Sequence, residues 1–182
     1  MTKHFELCAA RTELGFVVRV QGRGTSAHSP ALADFVLGCF EQEPDARVAV
    51  DLLQCDYLDS TFLGCLLKLQ RAGSETRFQV VADDAAKARL LAATHLNSYL
   101  TVVPGAPKST TPFLQIDARP LSQRELGRHI MESHQALSEV PSDFAAQFRK
   151  IAGQLMIELS EQEGDTQSME DTIAMPTPIR RV

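Results

Sequence analysis

The sequence predicts an α/β fold: helices packed on a mixed, mostly parallel β-sheet, followed by a C-terminal α-helical hairpin extension. Apolar runs of strand length alternate with helix-length amphipathic stretches up to residue 103, which is the rhythm of a layered α/β sheet. The pattern breaks at Pro104, where three prolines fall within residues 104–112. Beyond the break, a capping signature and a second apolar stripe mark two more helices.

The elements follow in order. Phe16–Val20 alternates and is rich in β-branched residues, a strand signal, with an extra strand available in Phe5–Ala9. Ser29-Pro30 has the form of an N-cap followed by proline at the first helical position. Leu32, Phe35, Val36, Cys39 and Phe40 then line one face of a helix that Pro44 ends. Arg47–Leu53 is a mostly apolar run suited to a strand covered on both faces. Asp59-Ser60-Thr61 supplies cap chemistry for an apolar helix from Phe62 to about Gly73. Arg77–Ala82 is the next strand, Asp83-Asp84 caps a helix spanning about 85–100, and Thr101–Val103 is a short final strand. Residues 1–103 are thus one expected domain, and 104–118 an unpatterned linker. In 119–160, Ser122 and Glu125 form a capping box with Leu121 and Leu126 as its staple. Pro141 separates that helix from a second one striped by Phe144, Phe148, Ile151, Leu155 and Leu159, an antiparallel hairpin by the shortness of the break. Residues 161–182 lack periodicity and are expected to be disordered.

The chain has 182 residues, 44% hydrophobic and 23% charged, enough apolar content for an ordinary core. Its net charge is −5, with 10 basic and 12 acidic side chains in 1–103 and 8 and 11 in 104–182. An even, mildly acidic distribution argues against nucleic-acid binding, which draws on clustered Lys and Arg. No apolar run has signal-peptide or membrane-span character, so a soluble cytoplasmic protein is expected. Cys8, Cys39, Cys55 and Cys65 form no CxxC pair and read as small hydrophobes rather than disulfide or zinc ligands.

The informative window is Val48–Leu67: an apolar strand ending at Asp51, a short loop with Asp56, then Asp59-Ser60-Thr61-Phe62 and a helix carrying Leu63-Gly64 and Leu66. It resembles the STAS domain of anti-sigma factor antagonists, in which a strand ending in Asp and a short loop precede Asp-Ser and a helix with Gly and Leu. The resemblance covers about residues 5–103 and agrees with the order of elements. It departs from the family at Phe62, where a small residue is usual, and at Arg23-Gly24-Thr25, where an acidic residue is frequent; both places fall on the family's partner-facing surface.

The resemblance implies partner switching. Unphosphorylated, the chain would bind an anti-sigma factor that is also a serine protein kinase; phosphorylation of Ser60, with Thr61 as the alternative acceptor, would end the contact, and a phosphatase would restore it. Asp56, Asp59, Ser60, Thr61 and Phe62 would form the partner-binding site. Phosphate comes from the kinase's ATP, so no cofactor or metal of the chain's own is expected. From residue chemistry alone, Ser60 is either an N-cap or a first-turn residue. A phosphate there adds about −1.5 to −2 charge, which a helix N-terminus tolerates and an apposed partner does not.

Other signals have plainer readings. Gly22-Arg23-Gly24 lacks the rest of any phosphate-binding signature and is a turn. Asp83-Asp84 is a cap pair. His129 and His134 are five apart, outside the i, i+4 spacing of a shared metal face, and Cys55 has no base paired with it in sequence. No catalytic constellation emerges, so the chain is not read as an enzyme. The stripe of Leu126, Ile130 and Leu137 with Phe148, Ile151 and Leu155 suits either docking on the sheet domain or a homodimer. The alternative function is a non-switching scaffold acting through that hairpin.

Overall fold

Alternating apolar residues in β1 (Glu6–Thr12) and β2 (Gly15–Gly24) build an antiparallel pair, and β2 continues the sheet in parallel with β3 (Arg47–Asp51). The computed structural model describes residues 4–173, with side chains as far as Glu161. β5 (Phe78–Val81) and β6 (Val102–Val103) extend the parallel side, and β7 (Leu114–Gln115) closes the other edge antiparallel to β1. The strand order is β6-β5-β3-β2-β1-β7, with β4 (Cys55–Leu58) paired in parallel to the end of β2. This is the mixed, mostly parallel sheet expected. Val18, Val50 and Val80 on one face and Val17, Ala49 and Val81 on the other are all buried, as a strand run without polar alternation requires.

Helices α1 (Ser29–Gln42) and α2 (Ser60–Arg77) pack on each other, and α2 lies against β3 and β5. Regular helix in α2 ends at Gly73: Ser74 stands at φ 59°, and a Cβ on Gly73 would come within 2.6 Å of the Phe40 ring. The buried Gln70 ties this end together, its Nε2 donating to Ser74 O (3.0 Å) and its Oε1 accepting from Thr101 N (2.7 Å).

Several details differ from expectation. The helix over 85–100 is broken into α3 (Asp84–Ala86), a π turn at Lys87–Leu91 and 3-10 turns at Ala92–Thr94 and Leu96–Ser98. Thr94 Oγ1 turns back to Leu91 O (3.3 Å) and His95 is left-handed, while Leu90, Leu91, Leu96 and Leu100 all reach the core. β4 and β7 had no sequence signal, being short strands fixed by distant partners. The segment 104–118 is therefore no free linker: β7 joins the sheet, Thr110 N donates to Arg11 O (2.7 Å) and Ile116 N to Leu7 O (2.8 Å).

The two late helices are α4 (Gln123–Ser138), begun by the expected Ser122/Glu125 capping box, and α5 (Ala145–Ile173). They pack on each other, and α4 packs on α2, so the hairpin docks on the sheet domain. Leu137, Val140 and Phe148 join the same buried cluster as Val36, Leu63 and Phe78. α5 runs past Glu161, where disorder was expected; the rest of that expectation, for 174–182, lies outside the described residues. No helix of the described residues is long and apolar enough to cross a membrane.

Phe62 is fully buried beneath Gly24. Phe62→Ala is expected to destabilise the fold by about 3–5 kcal/mol, read as a lowered denaturant midpoint. A change below about 0.5 kcal/mol would return the ring to the surface.

Candidate functional site

The site forms where β4 turns into α2. Asp59, in extended conformation, is the N-cap: its Oδ1 accepts from Phe62 N (2.8 Å), and its Oδ2 accepts from Ser26 N in the β2–α1 loop (2.7 Å). Asp59 N in turn donates to Gly24 O (3.1 Å). One carboxylate thus caps α2 and fastens it to the neighbouring loop. Cys55 O, at the start of β4, accepts from Arg89 Nη2 (2.8 Å), which braces the other end of the turn.

With the cap supplied by Asp59, Ser60 becomes the first residue of the helix, half-buried, and its hydroxyl does not cap. It meets His134 of α4 instead, Oγ to Nε2 at 2.8 Å. His134 Nδ1 lies 2.9 Å from Ile130 O, and a carbonyl only accepts, so Nδ1 carries a proton there and in the neutral ring Nε2 accepts from Ser60. The pairing is repeated one helix away. Ser29, the first residue of α1, does not cap either; the N-cap is His28, whose Nδ1 accepts from Thr25 N (3.2 Å), and Ser29 Oγ bonds His129 Nε2 at 2.8 Å. Two histidines of α4 thus each engage the serine that begins a helix of the sheet domain. Local sequence could not reveal this, because each pair is joined only when α4 crosses both helices.

The other expected site residues separate. Asp56 is exposed beside Tyr57, whose ring carries Arg23 at 4.1 Å, so this loop presents a mixed charged and aromatic surface. Thr61 is 4% exposed and Phe62 0%, so in this form both side chains lie in the core and not on the partner-facing surface expected for them. Asp51 is buried and structural, its Oδ1 accepting from Leu53 N (3.0 Å).

Catalytic alternatives find little support. The Ser60–His134 pair has the outline of a nucleophile and base, but α4 lies over the hydroxyl and a backbone carbonyl, not a carboxylate, orients the ring. Burial pushes the thiol of Cys65 up to about 12 and that of Cys39 to about 11, and raises Cys55. These are poor nucleophiles. Among the described residues no cluster of His, Cys, Asp and Glu is arranged to hold a metal.

Against known proteins, a family model described as "Mlab, STAS domain" matches residues 9–104. No curated protein matches the chain. Among solved structures, an anti-sigma factor antagonist from Mycobacterium paratuberculosis is 24% identical, covering 56% of this chain and 87% of its own, with a TM-score of 0.48.

Asp59→Ala is expected to lose about 0.5–2 kcal/mol of stability as a lost cap, with more exchange at the Ser26 and Phe62 amides. Ser60→Ala should keep both amides protected; if it exposed them as Asp59→Ala does, Ser60 would share the cap. Acid should weaken the docked hairpin. Burial lowers His129 from its ordinary 6.5, reinforced by Lys68 and opposed by Glu132, Asp34 and Asp59, and burial also lowers His28 against the pull of Asp59. Between the folded and unfolded values the unfolded chain binds more protons, so this stability is whole above pH 6.5 and is lost as pH falls below it. His129→Gln should flatten the slope of the denaturant midpoint between pH 8 and pH 5.5 relative to wild type. An unchanged slope would remove His129 from the linkage.

Proposed function

The chain belongs to the STAS domain family, and from that premise we propose that it is a phosphorylation-controlled, protein-binding regulator of the anti-sigma factor antagonist kind. It acts by contact rather than catalysis, and Ser60 is the switch residue. The observation that carries this is the division of labour at the start of α2: Asp59 satisfies the helix N-terminus, so the Ser60 hydroxyl can be modified without uncapping the helix. Thr61 is too buried to be the preferred acceptor.

The modifying partner is a serine protein kinase that doubles as an anti-sigma factor in the cytoplasm. Transfer of the terminal phosphoryl of a nucleoside triphosphate forms an Oγ–P bond on Ser60, breaks the bond to the leaving diphosphate, and passes the hydroxyl proton to a base of the kinase. The product is a dianionic group beside Asp59, with Asp56 exposed on the same turn. Like charge and desolvation across an interface cost several kcal/mol, enough to dissolve a micromolar contact. Hydrolysis by a phosphatase restores the binding form. Residues 1–103 carry the switch in this account, and 119–160 modulate it.

The test is capture from native lysate by full-length wild type, Ser60→Ala and Ser60→Asp, with the bound proteins identified. A serine-kinase-like anti-sigma factor retained by wild type and Ser60→Ala, and reduced at least about tenfold by Ser60→Asp, supports the switch. Equal capture by all three baits would refute it.

A further inference from the structure

We propose that the α4–α5 hairpin is an intramolecular cover for the Ser60 face of α2, which competes with outside partners and cannot stay docked once Ser60 carries a phosphate. This rests on the assignment of Ser60 as the switch residue and adds a regulator within the same chain. The surface is the outer side of α2, and its occupant is α4.

Contact is close along the length of the helix. His134 receives the Ser60 hydroxyl at 2.8 Å. One turn on, a Cβ at Gly64 would stand 2.2 Å from Ser133 O, so the backbones of α2 and α4 touch where glycine alone permits it. Lys68 then pairs with Glu132, and Arg71 with Glu139 at 2.7 Å. At the flank His129 holds Ser29, and Arg119 reaches Asp34 at 3.0 Å. In this closed form a kinase cannot align a phosphoryl donor with Ser60 Oγ, and a partner cannot reach the same helix face.

With the Ser60 hydroxyl directed at His134 as it is here, a phosphate on Oγ and the closed hairpin exclude each other on geometry. A phosphorus and three oxygens must replace the proton lying between Oγ and Nε2, and 2.8 Å leaves no room for them. The ring cannot simply retreat, because its other nitrogen is held by Ile130 O and the backbone behind it rests on Gly64.

The polar part of the cover is weak, so the hold that opening must overcome is the apolar one of Leu137, Val140 and Phe148. The cover's ion pairs are substantially exposed, the class of contact worth little net stability. Ser133 Oγ is buried at the point of closest approach with no hydrogen-bond partner among the described residues, a defect that opening relieves. The chain leading into α4 stays anchored through β7, which pairs with β1 and not with the hairpin, so the released hairpin remains tethered.

The test is amide hydrogen exchange on the full chain, comparing wild type, Ser60→Ala, the charge reversal Glu132→Lys with Glu139→Lys, and protein with phosphoserine incorporated at position 60. The charge reversal and the phosphoserine protein are expected to exchange at least about tenfold faster over α4, with β2, β3 and β5 as protected as in wild type and Ser60→Ala still closed. Unchanged α4 exchange with phosphoserine would overturn the proposal, and so would loss of protection throughout the sheet, which would make the hairpin an inseparable part of the core. No partner takes part in this readout. Failure of the cover therefore leaves the capture contrast between Ser60→Ala and Ser60→Asp standing, and failure of that contrast leaves the exchange result standing.

Discussion

The carboxylate of Asp59 accepts one backbone N–H from the first turn of α2 and another from Ser26 across the neighbouring loop, while its own N–H bonds Gly24. These three bonds set the start of α2 against the end of β2. Gly24 has to be glycine for the approach, since a Cβ would lie 2.7 Å from Leu58 and 2.9 Å from Phe62. Phe62 then fills the space beneath, and the helix leaves the sheet with Ser60 at its first position, turned toward α4. Were Ser60 the cap, its oxygen would be committed to a backbone N–H, and modification would have to replace that bond with one from a phosphate oxygen. The site depends on that office having gone to the neighbouring residue.

Different forces hold and orient the hairpin. Leu137 and Val140 are each 1% exposed and Phe148 is 8%, and burial of one such side chain is worth about 1.5–3 kcal/mol. The ion pairs of Lys68 and Arg71 contribute at most about 1 kcal/mol each at their exposure. Apolar packing therefore holds the hairpin in the closed, unmodified form, while Gly64, His129 and His134 fix where it sits. A perturbation at Ser60 acts on the orienting contacts and leaves the apolar ones available for return.

Elements with their own periodicity were legible in the sequence. β2, β3 and β5 read as strands because their apolar runs need no partner to be seen, and α4 announced its first residue through the reciprocal bonds of Ser122 and Glu125. What stayed hidden is what distant contacts decide. β4 and β7 are strands because β2 and β1 lie beside them. Ser29 resembled an N-cap by residue type, yet His28 stands at that place and the serine hydroxyl goes to a helix a hundred residues away. Phe62 looked like a surface departure from its family because the sequence could not show Gly24 leaving a void for its ring. His129 and His134 were set aside as a metal pair by their spacing, and the sequence could not show that their serine partners come from two other helices. The Asp59-Ser60 motif was visible throughout, and only the division of roles within it depends on the folded arrangement.

A phosphate at the first position of a helix is not intrinsically disruptive. The free N–H groups and the helix dipole favour an anion there by about 0.3–1 kcal/mol, and the cap at Asp59 is left intact. Close by, however, the charge meets the Asp59 carboxylate, whereas the Lys68 ammonium one face along is already paired with Glu132. Attraction to the helix and repulsion from Asp59 oppose each other, so the domain's folding responds less to the modification than either effect alone would require. The free energy of the added charge and volume is expressed instead in whatever lies on the outer side of α2. In the closed chain that is His134 and the backbone of α4; in the open chain proposed above it would be a partner's surface. On that proposal one covalent change would act on two competing occupants through the same steric and electrostatic exclusion. The outcome turns on which of them tolerates a phosphate better, and His134, fixed at both ring nitrogens, tolerates it poorly.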